Sequence, residues 1–90
     1  MESSELRLDG NAIGGLLREL FGVEMTTAEG VCGSCGARDR MARQDVYVHA
    51  PGVVVRCCHC EAVLLRIVRG PGRSWLDVSG MSCLELPDRG

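Results

Sequence analysis

Four cysteines in two matched pairs constrain this chain more than any other feature. The first pair reads Cys32-Gly33-Ser34-Cys35-Gly36 and the second Cys57-Cys58-His59-Cys60, with twenty-one residues between Cys35 and Cys57. Each C-x2-C lets the backbone turn tightly enough for both sulfurs to face one point. Two such turns can place four thiolates at the corners of a tetrahedron, an arrangement Zn2+ takes readily because it is borderline-soft and has no d-electron geometry of its own. Gly36 follows Cys35, where a turn of this kind needs a positive φ. The expected metal ligands are Cys32, Cys35, Cys57 and Cys60, holding one structural zinc.

The chain has reason to depend on such a cross-link. Ninety residues with a single Phe, Tyr and Trp make one small domain, residues 1–90, whose core must be aliphatic. A chain of this size buries only roughly 60–70% of its unfolded surface. Structural zinc is worth on the order of 10–16 kcal/mol in small peptides near neutral pH, and that energy appears as folding energy.

Six cysteines could also make three disulfides. The start, Met1-Glu2-Ser3-Ser4-Glu5, is acidic and followed by no apolar run, unlike a secretory leader. No apolar stretch is long enough to cross a bilayer. The paired spacing suits a metal better than a disulfide framework, so the expected compartment is a reducing cytoplasm.

The net charge of −2 disfavours bulk attraction to nucleic acid, but it is unevenly spread. Residues 1–35 hold two Arg against six acids, residues 36–75 seven Arg against three acids, and residues 76–90 one Arg against three. The middle segment is therefore basic, although a four-thiolate zinc site with its formal −2 halves that excess.

Along the chain, residues 1–8 read as a frayed polar start. A helix is expected over about residues 10–22. Asp9 and Asn11 are good N-caps, Gly22 is a stop, and Ala12, Ile13, Leu16, Leu17, Leu20 and Phe21 form one wide apolar face. That face is expected to cover the chain's own core rather than await a partner, and Gly14 and Gly15 suit a close approach to a sheet. Val23 to Val31 is ambiguous, with Thr26, Thr27 and Val31 favouring strand, and Ala37 to Arg40 reads as a loop. Asp45 to Ala50 and Val53 to Val55 form a hairpin about Pro51-Gly52 that delivers the second cysteine pair. Ala62 to Arg69 is apolar on both faces, as an interior strand would be. Gly70-Pro71-Gly72 turns the chain into an outer strand over Ser74 to Ser79. Met81, Cys83, Leu84 and Leu86 belong to a tail, 80–90.

The two knuckles with their hairpins, about residues 23–79, resemble a zinc ribbon, in which knuckles at two loop ends clamp one metal beside a small antiparallel sheet. More narrowly, Leu8-Asp9-Gly10-Asn11-Ala12, the Cys32–Gly36 knuckle, Val46-Tyr47-Val48-His49-Ala50-Pro51-Gly52 and Gly72-Arg73-Ser74-Trp75-Leu76-Asp77 resemble a family of short uncharacterised bacterial proteins, a domain of unknown function. The resemblance implies a small α+β fold: a zinc-ribbon-like antiparallel sheet with two Cys knuckles and one N-terminal helix. It carries no established activity. The resemblance also implies an oxidoreductase as the expected partner, since proteins of this kind are often encoded near such enzymes, including sulfite-oxidase-like and ferredoxin-reductase-like ones. The second knuckle departs from the usual ribbon pattern, with Glu61 where Gly is common and an extra thiol at Cys58.

Cys58 lies between ligand positions, and the C-x2-C spacing selects Cys57 instead. His59 lies inside the knuckle turn and is an alternative ligand. His49 is expected at the surface, and Cys83 packed. Four available thiolates argue for a closed structural site, and so against an enzyme. Three functions remain, in order of preference. The first is a protein-interaction or accessory module. The second is a nucleic-acid-binding ribbon using Arg38, Arg40, Arg43, Arg56, Arg66, Arg69 and Arg73, with Tyr47 and Trp75 as stacking faces. The third is a rubredoxin-like iron electron carrier, which the shortage of aromatics disfavours.

Overall fold

A computed structural model describes residues 6–49 and 51–88 of the chain. Its strands are β1 (Leu6–Asp9), β2 (Glu29–Cys32), β3 (Arg38–Arg40), β4 (Asp45–His49), β5 (Gly52–Arg56), β6 (Val63–Gly70), β7 (Arg73–Asp77) and β8 (Met81–Leu84). One α-helix, α1 (Gly14–Phe21), follows a 3-10 turn over Gly10–Ile13, and a second 3-10 turn spans Met41–Arg43. The result is an α+β fold in which every strand pairing among the described residues is antiparallel.

The strands form two sheets, one in the order β1-β4-β5-β6-β7 and one in the order β3-β2-β8. In the larger sheet the register Leu8, Val46, Val55, Leu65 sets one row across the core face. Val46, Val55, Leu65 and Ile67 are fully buried there. β6 runs in the interior of the sheet, as expected, although Arg66 and Val68 on its second face are exposed. An irregularity between Val55 and Arg56 inserts Leu64 as an extra residue on β6. A bulge of this kind breaks strict alternation, and so Leu64 and Leu65, adjacent in sequence, are both buried.

The helix lies against this core. Ile13 and Leu17 are buried, and Leu16, Leu20 and Phe21 pack at the margin, whereas Ala12 is exposed. Asp9 caps the entry by accepting from the Asn11 N–H. Gly22 ends α1 with φ 78° and donates its N–H to the Arg18 carbonyl at 2.8 Å. Arg69 on β6 reaches Glu19 of α1 at 3.0 Å. Gly14 does make a close approach, to the Thr26 side chain, but Gly15 faces open space.

Three expectations change. Of the expected frayed start, residues 1–5 lie outside the described residues, while Leu6–Asp9 is β1, paired with β4. Arg38–Arg40 is a strand rather than a loop, because pairing with β2 satisfies its backbone. The tail supplies β8, which pairs with the other edge of β2 and completes the second sheet. Gly80 makes this possible: a Cβ there would collide with the Val63 carbonyl of β6. Val23 to Ala28 is loop, and β2 begins only at Glu29.

Candidate metal centre

The two knuckles are built by the same hydrogen bonds. In the first, the Gly36 N–H donates to the Cys32 carbonyl at 2.9 Å, and the Cys32 N–H to the Ala37 carbonyl at 2.9 Å. In the second, the Glu61 N–H donates to the Cys57 carbonyl at 2.9 Å, and the Cys57 N–H to the Ala62 carbonyl at 2.8 Å. The residue closing each turn is left-handed: Gly36 at φ 77° and Glu61 at φ 70°. Glycine adopts that conformation freely, and an L-residue at a cost of roughly 1–2 kcal/mol. Glu61 therefore occupies a position whose backbone calls for Gly.

Strand β2 delivers Cys32 and strand β5 leads into Cys57, and these two thiols are buried, whereas Cys35 and Cys60 are exposed. Cys32, Cys35, Cys57 and Cys60 come together with all four Sγ atoms within 4.8 Å of one another. Cys32 Sγ lies 3.7 Å from Cys60 Sγ, and Cys35 Sγ 3.7 Å from Cys57 Sγ. A sulfur tetrahedron with metal–sulfur arms of about 2.3 Å has edges of about 3.8 Å. Four cysteines thus lie close enough to hold one metal ion, with two of the sulfur pairs at the separation such an ion needs.

Backbone N–H groups already point at the sulfurs. Cys32 Sγ accepts from Ser34 at 3.4 Å and from Cys35 at 3.5 Å, and Cys57 Sγ accepts from His59 at 3.3 Å. The Cys35 N–H is the largest influence holding the Cys32 thiol down, to about 6. The Ser34 N–H and the Cys60 and Cys35 thiols help, against burial. Cys60 goes the other way, to about 12. The Ala62 N–H lowers it, but burial and the Cys32, Cys35 and Cys57 thiols outweigh that. One thiolate is easily accommodated among the four, and further negative charge waits for a cation.

Cys58 and His59 face elsewhere. Cys58 Sγ lies 3.7 Å and His59 Nε2 2.9 Å from Asp39 Oδ2. Burial first, and then the Asp39 charge, push the Cys58 thiol up. Burial also raises the Asp39 carboxyl. The His59 hydrogen bond, the Arg40 N–H, the Arg43 guanidinium and the Cys58 thiol together bring it below its ordinary value. Asp39 was hidden from sequence reasoning, lying in an apparent loop twenty positions before His59 with no spacing to mark it. Cys83, expected to be packed, is exposed on β8.

The chain belongs to DUF6510, a family of unknown function. The family model matches residues 2–89, and so takes in both knuckles, both sheets and the helix. No curated protein and no solved structure matches the chain. Membership of DUF6510 carries no activity with it, so the function of the thiolate quartet has to be argued from its chemistry. No helix among the described residues is long and apolar enough to cross a membrane.

Proposed function

We propose that the protein is a small zinc-ribbon-like module in which one structural zinc, held by Cys32, Cys35, Cys57 and Cys60, fixes a surface for a protein partner. The observation that carries this reading is the convergence of four sulfurs within 4.8 Å of one another, two pairs of them 3.7 Å apart. Four protein donors leave a zinc ion no position for water or substrate, which is the mark of a structural rather than a catalytic site. The centre is therefore read as non-enzymatic, in a reducing compartment where the thiolates stay available to the metal. Iron electron transfer is disfavoured, since the core beside Cys32 and Cys57 is aliphatic, with Phe21 only at its margin.

The partner reading rests on the edge of the larger sheet. β7 is one of its two edge strands, and Trp75 is 54% exposed, with Val68, Leu76 and Val78 exposed nearby. An exposed Trp of this kind is the sort of side chain that anchors protein interfaces. An oxidoreductase is the proposed class of partner.

Nucleic acid is the weaker reading because the arginines are dispersed and paired. Arg38 meets Glu29, Arg43 meets Asp39, Arg66 meets Asp77 and Arg69 meets Glu19. Arg66 and Arg69 fall on opposite faces of β6, and the Tyr47 ring is covered by Arg56. Binding driven by counterion release needs several phosphates neutralised together, which a paired, mixed-sign surface does poorly.

A pull-down of the tagged protein from its own cells, reading out proteins and nucleic acid together, tests the reading. A stoichiometric protein that is lost on Trp75→Ala or Leu76→Asp supports it. Recovery of nucleic acid instead, with micromolar binding to labelled DNA or RNA that weakens steeply with salt, overturns it.

A further inference from the structure

The second knuckle carries two more metal-binding side chains than its zinc uses. Cys57 and Cys60 turn toward the thiolate quartet, while Cys58 and His59, between them, turn to the other side and converge on Asp39. We propose that Asp39, Cys58 and His59 form a second metal site, weaker and exchangeable, for a zinc-class divalent cation.

The three donor atoms lie within 4.8 Å of one another. Cys58 Sγ and Asp39 Oδ2 are 3.7 Å apart, against about 3.6 Å for sulfur and oxygen on one tetrahedral zinc. The His59 Nε2 to Oδ2 distance of 2.9 Å is that of a hydrogen bond, and about half an ångström of opening admits a metal between the two. His59 has the freedom to make it, its side chain being 47% exposed.

The rest of the site is held in place. Asp39 Oδ1 is occupied by the Arg40 N–H at 2.8 Å and by Arg43 Nε at 3.3 Å, so that Oδ2 is the oxygen presented to Cys58 and His59. The Cys58 N–H donates to Oε1 of the buried Gln44 at 3.0 Å, fixing the backbone from which the thiol projects. Outer contacts of this kind orient ligands in metal sites and sharpen their affinity.

One thiolate, one imidazole and one carboxylate select borderline metals such as Zn2+, Co2+ and Ni2+ over hard Mg2+ or Ca2+. Binding displaces the Cys58 proton and leaves the imidazole neutral. The resulting centre is formally uncharged, unlike the −2 of the four-thiolate site. Cys58 and His59 also line an open cavity of about 770 Å3, together with Asn11, Thr26 and Arg40. Three protein ligands would leave a fourth position, and the cavity beside Cys58 and His59 gives water or a small coordinating anion a way to it. That is the geometry of an exchangeable or reactive metal rather than a structural one.

The test starts from protein carrying one equivalent of zinc, kept reduced and free of oxygen. Co2+ is then added, with the d–d and sulfur-to-cobalt absorption followed, and zinc content is measured afterwards. The expected result is a second equivalent bound at micromolar cobalt while the zinc stays in place. Cys58→Ser and His59→Ala should each weaken the second event by more than about tenfold yet keep the first zinc, which also shows that they fold. Cys83→Ser should leave both events unchanged. Saturation at one metal in the wild type, or a second equivalent that persists in both variants, overturns the proposal. Loss of the first zinc from the wild type would instead count against the structural-zinc reading, so the two claims fail separately.

Discussion

Replacing Leu17 by Ala tests whether α1 is part of the core or a detachable face. Leu17 is 0% exposed and belongs to the same buried cluster as Val46, Val55 and Ile67 of the sheet. The truncation removes three carbon groups, at about 0.8 kcal/mol each in transfer energy. The cavity left behind brings the expected loss to about 3 kcal/mol, within the usual range of about 2–5. For a domain of this length that corresponds to a fall in Tm of roughly 12–24 °C. The assay is urea and thermal unfolding of the zinc-loaded protein, followed by far-ultraviolet circular dichroism, since Trp75 is too exposed to report on the core. Leu17→Asp, which buries an unpaired carboxylate, should abolish folding. Leu86→Ala, at a side chain 58% exposed, should change stability by less than about 0.5 kcal/mol and serves as control. A Leu17→Ala loss below about 1 kcal/mol, or a soluble, folded Leu17→Asp protein, would refute the packing argument and leave the helix face free for binding.

Three other perturbations separate the roles of neighbouring residues. Cys57→Ser should lose the tightly bound metal and the fold, whereas Cys58→Ser should keep both, as read by elemental analysis and circular dichroism; the reverse outcome would reassign the ligand. Metal affinity should rise with pH. Without metal, Cys60 keeps its proton at neutral pH, being pushed up to about 12, so binding must release that proton. The affinity should therefore fall at least about tenfold for each pH unit of acidification, measured by chelator competition between about pH 6 and pH 8. Glu61→Gly should stabilise the protein by about 1 kcal/mol by relieving the left-handed backbone, provided metal content is unchanged; a destabilised variant would show that the Glu61 side chain has a role the backbone argument omits.

Much of this structure is legible in the residues, and the parts that are not share a cause. The helix with its Gly22 stop, the hairpin about Pro51-Gly52 and the outer strand after Gly70-Pro71-Gly72 are local features, each written in periodicity and turn chemistry, although the first turn of the expected helix, capped by Asp9, is 3-10 and α1 begins only at Gly14. The cysteine spacing likewise announces a quartet, because a knuckle is closed by bonds within six residues. What could not be read depends on distant partners. β1 and β3 are four and three residues long, too short to show alternation, and they exist because β4 and β2 pair with them. β8 looked like a tail for the same reason, and its place is set by Gly80 packing on the β6 backbone. Asp39 is the clearest case. Nothing around it in sequence marks a site, and only the folding of β3 beside the second knuckle brings it to Cys58 and His59.

The central claim is that Cys32, Cys35, Cys57 and Cys60 together hold one zinc ion in a closed site. X-ray absorption at the zinc edge, on protein carrying a single tightly bound equivalent, tests it most directly. The account predicts a colourless protein whose zinc has four sulfur neighbours at about 2.3 Å and no nitrogen or oxygen neighbour. A first shell that mixes sulfur with nitrogen or oxygen, or a red protein with stoichiometric iron and reversible redox, would contradict it.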